Sequence, residues 1–404
     1  MERVRDPKKL GFDPLRLARI KPWMQRYVDR GLVPGSAALI ARRGELAYFD
    51  CAGSRDVEAR KPWHRDTVVR MFSMSKPVTS VALMALYEET RIHLDDPIAV
   101  FLPEFKNQNV LVKGFANLDQ TEPAKNPITV RHLLTHTSGL SYGIQAGPLG
   151  AAYGAEFSSG FAYGGLDKMV KRIAAFPLEF EPGERWHYSV ATDVIGRIVE
   201  VVSGQTLDRF LAARIFEPLG MTETGFEVPD EAASRFASLY VTQAGGGMAR
   251  LDAFDALTRR HGKVDTYLGG GGLVGTIDDY WRFGEMLRAG GAYRGERILS
   301  PRTIKLMASN HLPGDIASMG PATWAETSFH GVGFGLMGSV MLDPAKAQAS
   351  ATAGDYGWGG WASTFFWVSP KDDLVVVYFT QLAPSSALPL RKELRTLVHQ
   401  ALVG

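Results

Sequence analysis

The spacing of apolar positions near the start of the chain predicts an amphipathic helix followed by a β-hairpin. Between about residues 13 and 31, apolar side chains recur at helical spacing, and Gly31 is a suitable C-terminal stop. Residues 36–41 and 46–52 are short apolar runs on either side of a turn that contains Gly44. We therefore expect a sheet to begin with these two strands.

The central part of the chain is predicted to be mainly helical. Residues 75–89 form a strongly apolar run with helical spacing, and Pro77 is tolerated because it falls in the first turn. From about residue 94 to residue 225 the pattern is mostly helical but irregular. Within it, the stretch 153–165 is rich in glycine and tyrosine and is typical of a loop. We expect a helical lobe inserted between the strands.

The C-terminal part returns to strands and ends in a helix. Apolar or β-branched runs at residues 332–342, 361–368 and 374–380 are bounded by Gly, Pro or Asp, and a helical pattern follows at about 387–402. Helices and strands are grouped rather than regularly alternating, which favours an α+β fold over a doubly wound parallel sheet. The predicted fold is an α/β sandwich: an antiparallel sheet flanked by helices, with an inserted helical domain.

The length of the chain, 404 residues, exceeds the usual size of one domain and predicts either two domains or one with a large insertion. We assign residues 1–93 and 226–404 to a discontinuous α/β domain and residues 94–225 to a mainly helical domain.

The composition is typical of a globular protein that acts on small molecules. Hydrophobic residues make up 45% of the chain and charged residues 22%, which is ordinary for a folded soluble protein. The 45 basic and 43 acidic residues are mixed along the chain and leave a net charge of +2. No broad basic surface is therefore expected, and we predict neither a nucleic-acid partner nor a membrane partner.

Cysteine content and the N-terminus bear on the compartment. Cys51 is the only cysteine, which excludes an internal disulfide, and we expect it to be buried and inert. The first twelve residues are charged and lead into no apolar signal region, and no apolar run is long enough to span a bilayer. We expect a cytoplasmic protein.

Ser73 and Lys76 form a Ser-x-x-Lys motif at the predicted start of the apolar helix. Residues three apart lie on one face of a helix, so the Lys76 amine can approach the Ser73 hydroxyl. A serine becomes nucleophilic when a neighbouring base accepts its proton, and oriented N–H groups at a helix start favour an oxyanion. Taken alone, the motif is weak, because a capping serine and a surface lysine are the commoner origin of this pattern.

Tyr188 and a glycine-rich segment give two further candidates. Tyr188 follows a turn-like Glu-Pro-Gly and precedes an apolar helical pattern, so its hydroxyl could project into a cleft and move a proton. A tyrosine that anchors a loop on the core is the alternative. Gly357 begins the sequence Gly-Trp-Gly-Gly-Trp, where glycines would admit a substrate to a strand edge. A structural β-turn is the alternative there.

Taken together, these segments resemble the serine β-lactamase and penicillin-binding-protein superfamily, and most closely the family VIII carboxylesterases of its class C branch. The resemblance extends over most of the chain and keeps the family's order. It rests on FSMSKPVTSVALMALYE, ITVRHLLTHTSGL, EPGERWHYSVATDVIGRIVEVVSG, IFEPLGMTETGF, GGGGLVGTIDDYWRFGEML and GWGGW.

The resemblance implies a role for each candidate. Ser73 is the acylated nucleophile, Lys76 is its partner, and Tyr188 helps to move the proton. The backbone N–H groups of Ser73 and Trp361 form the oxyanion hole, and Tyr142 lines the cleft. The resemblance also implies that the active site lies in the cleft between the α/β and helical domains, and it implies no metal and no cofactor.

Two departures from the β-lactamase pattern bear on the substrate. Val190 stands where those enzymes have the Asn of Tyr-x-Asn, and Trp358-Gly359-Gly360 stands where they have Lys-Thr-Gly. Both variants occur in family VIII esterases. An indole in place of the lysine removes a cation and adds an apolar wall, so neutral, partly apolar esters should be favoured over substrates with free carboxylates.

Other motifs have simpler interpretations. Ser141 lies in a Gly-x-Ser-x-Gly sequence, but the nucleophile elbow needs a preceding strand, whereas a helix is predicted there. His132 and His136 lack the Glu of a zinc-binding His-Glu-x-x-His, and the glycines at 269–272 lack the Lys-Ser of a phosphate loop. His187 is adjacent to Tyr188, and neighbours in sequence often point apart.

The sequence therefore predicts a serine esterase that hydrolyses small, short-chain carboxylic esters through an acyl-enzyme. An acyltransferase, or a β-lactamase or D-amino-acid peptidase, would use the same acyl-enzyme. A binding protein that keeps the fold without catalysis is the alternative from another class, although the presence of all three motifs argues against it.

Overall fold

A single eight-stranded antiparallel sheet organises the protein. The computed structural model describes residues 3–112, 117–157, 163–251, 264–324 and 326–403. From one edge of the sheet to the other, the strands are Val332–Phe334, Ser339–Met341, Tyr356–Gly359, Phe365–Ser369, Leu374–Thr380, Gly35–Arg42, Glu45–Asp56 and Lys61–Pro62. Each pairs with its neighbours in antiparallel orientation.

The predicted N-terminal hairpin is present, and its strands extend beyond the predicted runs. Gly35 pairs with Gly53 and Arg42 with Glu45. Gly44 in the turn has a φ of 81°, a left-handed conformation that glycine adopts without steric penalty. The first strand also pairs with Leu374–Thr380, so it lies in the interior of the sheet.

Helices cover both faces of the sheet because alternate side chains of its central strands are apolar on both sides. The helices Pro14–Leu17, Ile20–Asp29 and Leu390–His399 pack on the face that carries Ile40 and Tyr378. Ser75–Glu88 and Ile277–Arg288 pack on the opposite face. The arrangement is an α/β sandwich, and the predicted fold class is confirmed.

The remaining elements are shorter. The other α-helices are Val130–Leu134, Gly147–Glu156, Leu166–Ala174, Ala191–Ser203, Leu207–Leu211, Glu217–Leu219, Pro301–Met307 and Pro344–Ala347, and a π-helical turn spans Ala212–Phe216. Small sheets are formed by Val69–Arg70 with Val274–Gly275, Asn109–Leu111 with Thr121–Pro123, Ala292–Tyr293 with Glu296–Arg297, Thr323–Trp324 with Thr327–Ser328, and Tyr240–Thr242 with Met248–Arg250 and Leu382–Ala383. The division at 93/94 and 225/226 stays a prediction. None of the helices in these ranges has the length and apolar character that a membrane crossing requires.

Two predicted helical boundaries were wrong. The helix expected at 13–31 is interrupted after Leu17 because Pro22 has no N–H to donate to the carbonyl of the preceding turn. The loop expected at 153–165 begins later, since residues up to Glu156 belong to a helix, and 158–162 lie outside the described residues. Cys51 is only half-buried, and its Sγ lies 3.3 Å from the Trp63 carbonyl oxygen.

Two predicted strands are interrupted by glycine turns. The run 332–342 forms two strands, because the chain reverses where the Gly335 N–H donates to the Gly338 carbonyl oxygen at 2.8 Å. The run 361–368 becomes a strand only at Phe365, since a tight turn closes with Gly360 N–H donating to the Thr364 carbonyl at 2.7 Å. The preceding residues, including Trp358, form a strand of their own.

Candidate active site

Ser73 lies in a strained turn just before the central helix rather than at its first residue. A 3-10 turn spans Phe72–Met74, and the helix Ser75–Glu88 follows directly. Phe72 has a φ of 46°, a conformation unfavourable for a residue with a Cβ and often found at functional sites. Ser73 is partly exposed, whereas Ser75 and Lys76 are buried. The turn therefore presents the Ser73 hydroxyl at the surface of the packed helix.

Lys76 points at Ser73, as the helical spacing predicts. Its Nζ lies 3.4 Å from Ser73 Oγ and donates a hydrogen bond of 2.6 Å to the carbonyl oxygen of Gly270. The same ammonium lies 4.7 Å from the centre of the Tyr188 ring, within cation–π distance. With an exposed fraction of 3%, Lys76 is held by these contacts rather than by water. Lys76 thus contacts both of the other residues of the predicted machinery.

Asp193 is a member of this cluster that sequence reasoning missed. Its Oδ1 accepts a hydrogen bond of 2.8 Å from the N–H of Gly270. The carboxyl is buried, and this burial raises its pKa while the charge of Lys76 opposes the shift. The available signal was a single acidic residue on the apolar face of the helix Ala191–Ser203, five positions after Tyr188.

Tyr188 is surrounded by aromatic rings. It stacks nearly parallel on Tyr142, with ring centres 5.9 Å apart, and lies 4.8 Å from the His136 ring. The indole Nε1–H of Trp358 donates to the Tyr188 hydroxyl at 3.4 Å. Burial raises the pKa of Tyr142 well above its ordinary value, so its hydroxyl stays protonated. Tyr188 is therefore held by ring contacts on several sides, with its hydroxyl against the Trp358 indole.

The glycine-rich strand passes close to the Ser73 turn. A Cβ at Gly360 would lie 2.2 Å from the Met71 carbonyl oxygen, so only glycine allows this approach. The Phe72 and Trp361 rings meet edge to face, with centres 5.4 Å apart. Ser73 and Trp361 are the two residues predicted to supply oxyanion-hole N–H groups. The segments that contain them therefore lie side by side in space.

A cavity of about 710 Å³ adjoins these groups. Its lining includes all the predicted cleft residues, namely Ser73, Tyr142, Tyr188, Val190, Trp358, Gly359, Gly360 and Trp361. A second set of lining side chains is almost wholly apolar: Tyr153, Phe157, Tyr163 and Met169 come from the helical region, and Leu268 comes from the segment before the second helix of the sheet face. Mostly apolar walls with a few polar groups are typical of small-molecule sites.

The Gly-x-Ser-x-Gly sequence does not form a second nucleophile. Ser141 is fully buried, and the helix Val130–Leu134 precedes it where an elbow needs a strand. His187 Nε2 lies 3.4 Å from Ser141 Oγ and 3.1 Å from Glu179 Oε2. Because one ring nitrogen serves both partners, the imidazole cannot relay a proton between them in the manner of a triad.

The remaining motifs have structural roles. His132 Nδ1 accepts from the Thr129 N–H in a capping box, and His136 Nδ1 lies 3.3 Å from Ser189 Oγ. In the described ranges no group of three or more metal-binding side chains was found. Of the glycines at 269–272, Gly269 and Gly270 accept hydrogen bonds from Thr79 and Lys76 through their carbonyls.

Comparison with known proteins adds to this geometry. The profile of the family described as Beta-lactamase matches residues 20–400. An uncharacterized protein of Mycobacterium tuberculosis is 36% identical over 375 residues, with 89% of each chain covered. Esterase EstB of Burkholderia gladioli is 32% identical over 412 residues, with 98% of each chain covered. The solved structure of EstCE1, described as a hydrolase with promiscuous acyltransferase activity, superposes with a TM-score of 0.82 and 29% identity, covering 95% of this chain and 99% of its own.

Proposed function

Because the chain belongs to the beta-lactamase family, we propose that it is a serine esterase that forms an acyl-enzyme on Ser73. The family VIII esterase resemblance drawn from the motifs is confirmed by the similarity to EstB and EstCE1. One observation carries the assignment of residues: Lys76 Nζ lies within 3.4 Å of Ser73 Oγ and directly over the Tyr188 ring. Ser73 and Tyr188 both line the apolar cavity.

In the first step Ser73 Oγ attacks the ester carbonyl carbon. A C–O bond forms, the carbonyl electrons move onto oxygen, and the hydroxyl proton passes to the Lys76–Tyr188 pair. Backbone N–H groups of Ser73 and Trp361 stabilise the oxyanion. When the tetrahedral intermediate collapses, the bond to the leaving alcohol breaks and that alcohol takes the proton. The product is an acyl group on Ser73.

In the second step water replaces the alcohol. The same pair accepts a proton from water as its oxygen attacks the acyl carbon, and the bond to Ser73 Oγ then breaks with return of a proton to Ser73. The carboxylic acid leaves. In this proposal Ser73 belongs to the domain of residues 1–93 and 226–404, and Tyr188 belongs to the domain of residues 94–225. The site then lies in the cleft between them.

Small, partly apolar esters fit this site best. Tyr142, Trp358 and the aromatic side chains from the helical region favour apolar acyl or alcohol groups, and Val190 adds no hydrogen-bonding group. EstB, a relative of this chain, is itself named as an esterase. Acyl transfer to an alcohol is the second candidate, because EstCE1 is described as having that promiscuous activity.

Hydrolysis of p-nitrophenyl butyrate and of a chromogenic cephalosporin, compared in wild type and Ser73→Ala, tests the proposal. We expect fast ester cleavage, slow or absent cephalosporin cleavage, and loss of both in the variant. Appreciable ester cleavage by purified Ser73→Ala would exclude the acyl-enzyme on this residue. Absence of labelling by a serine-directed phosphonate would favour a silent binding protein, and alkyl ester formation with added alcohol would reveal acyl transfer.

A further inference from the structure

His136 occupies a backbone position that the end of a helix normally gives to glycine. The helix Val130–Leu134 closes with the Thr137 N–H donating to the His132 carbonyl oxygen at 2.9 Å. Within this turn His136 has a φ of 55°, a left-handed conformation that is unfavourable for a residue with a Cβ and that favours glycine. A histidine held in this conformation indicates that its side chain has a use that glycine could not serve.

His136 binds the chain on both sides of Tyr188. Its carbonyl oxygen accepts a hydrogen bond from the His187 N–H at 2.8 Å, and its ring Nδ1 accepts one from the Ser189 N–H at 3.3 Å. The Tyr188 carbonyl oxygen has a separate partner, the Gln145 side chain, at 2.7 Å. The residues before and after the tyrosine are thus both attached to one histidine.

The imidazole also contacts the Tyr188 side chain itself. The two ring centres lie 4.8 Å apart, and the Phe334 ring packs edge to face on the imidazole at 5.5 Å. The exposed fraction of His136 is only 2%. Burial, followed by the charges of Lys76 and His187, lowers the pKa of His136 well below its ordinary value. The ring is therefore neutral, and Nδ1 keeps the lone pair that accepts from Ser189.

We propose that His136 is a positioning residue that holds the Tyr188 hydroxyl in place for proton transfer. The inference rests on the proposed esterase function, in which Tyr188 and Lys76 move the proton of Ser73. His136 does not line the cavity that the described residues form, so it acts through Tyr188 rather than on the substrate. Proton transfer needs its partners within hydrogen-bond reach, and a misplacement of about 1 Å can lower a rate by about a hundredfold.

Two variants separate the acceptor from the backbone conformation. His136→Gly keeps the left-handed conformation but loses the ring and its acceptor, whereas His136→Asn tolerates the conformation and keeps an acceptor for the Ser189 N–H. We expect His136→Gly to lower kcat for p-nitrophenyl butyrate by about tenfold or more, with KM changed by less than about threefold. His136→Asn loses only the ring contact and should lower kcat by about threefold. If the glycine variant does not fold, His136→Asn carries the same comparisons with this smaller loss.

The same substitutions in Tyr188→Phe test whether His136 acts through the hydroxyl. Once the hydroxyl is absent there is nothing to position, so His136→Gly should lower kcat by less than about twofold in that background. An equal fold loss in the two backgrounds would overturn the proposal. His132→Ala is the matched control, because His132 Nδ1 also accepts a backbone N–H, that of Thr129 at 3.2 Å, but at the other end of the same helix. Its kcat should change by less than about threefold.

The crystal structure of His136→Gly gives a readout that does not depend on turnover. We expect the Tyr188 hydroxyl to lie beyond hydrogen-bond distance of Trp358 Nε1, from which it is 3.4 Å in the wild-type protein. A hydroxyl in its wild-type place would overturn the positioning role. A displaced hydroxyl, together with normal ester cleavage by Tyr188→Phe, would support that role and count instead against the proposed proton relay.

Discussion

Asp193 and Lys76 bind the same residue from its two ends. The Asp193 carboxylate accepts a hydrogen bond from the Gly270 N–H at 2.8 Å, and the Lys76 ammonium donates one to the Gly270 carbonyl at 2.6 Å. A Cβ at Gly270 would lie 2.7 Å from Asp193 Oδ2, so the carboxylate packs closely on this glycine. The position of the Lys76 amine beside Ser73 therefore depends on a carboxylate that is distant in sequence.

Removal of Asp193 should impair turnover more than substrate binding. Asp193→Ala leaves the buried Gly270 N–H unpaired, which costs about 1–3 kcal/mol, and frees the segment that holds Lys76. We expect kcat for p-nitrophenyl butyrate to fall by about tenfold or more, with KM nearly unchanged. Asp193→Asn keeps an acceptor for the N–H and should recover part of kcat. Parallel changes in kcat and KM, with no recovery in Asn, would indicate a purely structural carboxylate.

Asp193→Asn, unlike Asp193→Ala, should not destabilise the fold at neutral pH. The pKa of Asp193 is raised by burial, so its charged form is disfavoured in the folded protein relative to the unfolded chain. The contribution of the protonated Asp193 carboxyl to the free energy of unfolding is therefore present at low pH. It is lost as the pH rises through the pKa of Asp193 in the folded protein. Asp193→Asn, which mimics the neutral acid, should therefore unfold at the same or a higher temperature near pH 7. A clearly lower melting temperature there would contradict this.

Tyr188→Phe should distinguish the contribution of the hydroxyl to turnover from the contribution of the ring. The phenylalanine keeps the ring contacts with Tyr142 and the cation–π contact with Lys76, but it loses the hydroxyl that accepts from Trp358. We expect kcat to fall by about a hundredfold or more, because general acid–base groups typically contribute that much. The melting temperature should change little. Normal turnover in this variant would remove Tyr188 from the proton relay.

Much of this site could be predicted because its chemistry is encoded in local motifs. The spacing of Ser73 and Lys76 on a helix start and the sheet strands followed from short-range periodicity. Asp193 could not be found in this way, because it acts through a contact with a residue far along the chain, Gly270. A sequence shows which residues are charged but not which glycine leaves room for them.

The strand boundary predicted at Trp361 was misplaced for a similar reason, because a contact between distant parts of the chain decides it. The pattern places Trp361 at the start of a strand, whereas the hydrogen bond between Gly360 and Thr364 closes a turn around it. That turn is what brings Trp361 onto Phe72. Apolar character alone does not distinguish a side chain inside a strand from one in a turn that packs on a neighbouring segment.

Phe72 should tolerate only residues that adopt its left-handed backbone. Its φ of 46° is unfavourable for a β-branched side chain, for which it costs about 1–2 kcal/mol or more. Phe72→Val should therefore lower both the melting temperature and kcat, because Ser73 follows directly. Phe72→Asn also loses the apolar packing of the ring, including its contact with Trp361, but it favours this conformation and should retain more activity. Equal activity of the two variants would show that the backbone conformation does not position Ser73.

Acid should destabilise the protein through its buried histidines. The pKa of His136 is lowered well below its ordinary value, first by burial and then by the charges of Lys76 and His187, and burial also lowers the pKa of His132 and His311. Below about pH 6.5 the unfolded chain binds protons that the folded protein excludes, so the free energy of unfolding falls as pH falls.

For one such group the slope approaches about 1.4 kcal/mol per pH unit, from about pH 6.5 down to the folded-state pKa. Denaturant unfolding of wild type and His136→Asn at about pH 7.5 and pH 5 measures this contribution. Asparagine can still accept a hydrogen bond near Ser189, and it does not titrate. The variant should lose less stability than wild type between the two pH values. An equal loss in both proteins would mean that His136 takes up its proton in the folded state, and that the ring has more access to water than its packing against Tyr188 indicates.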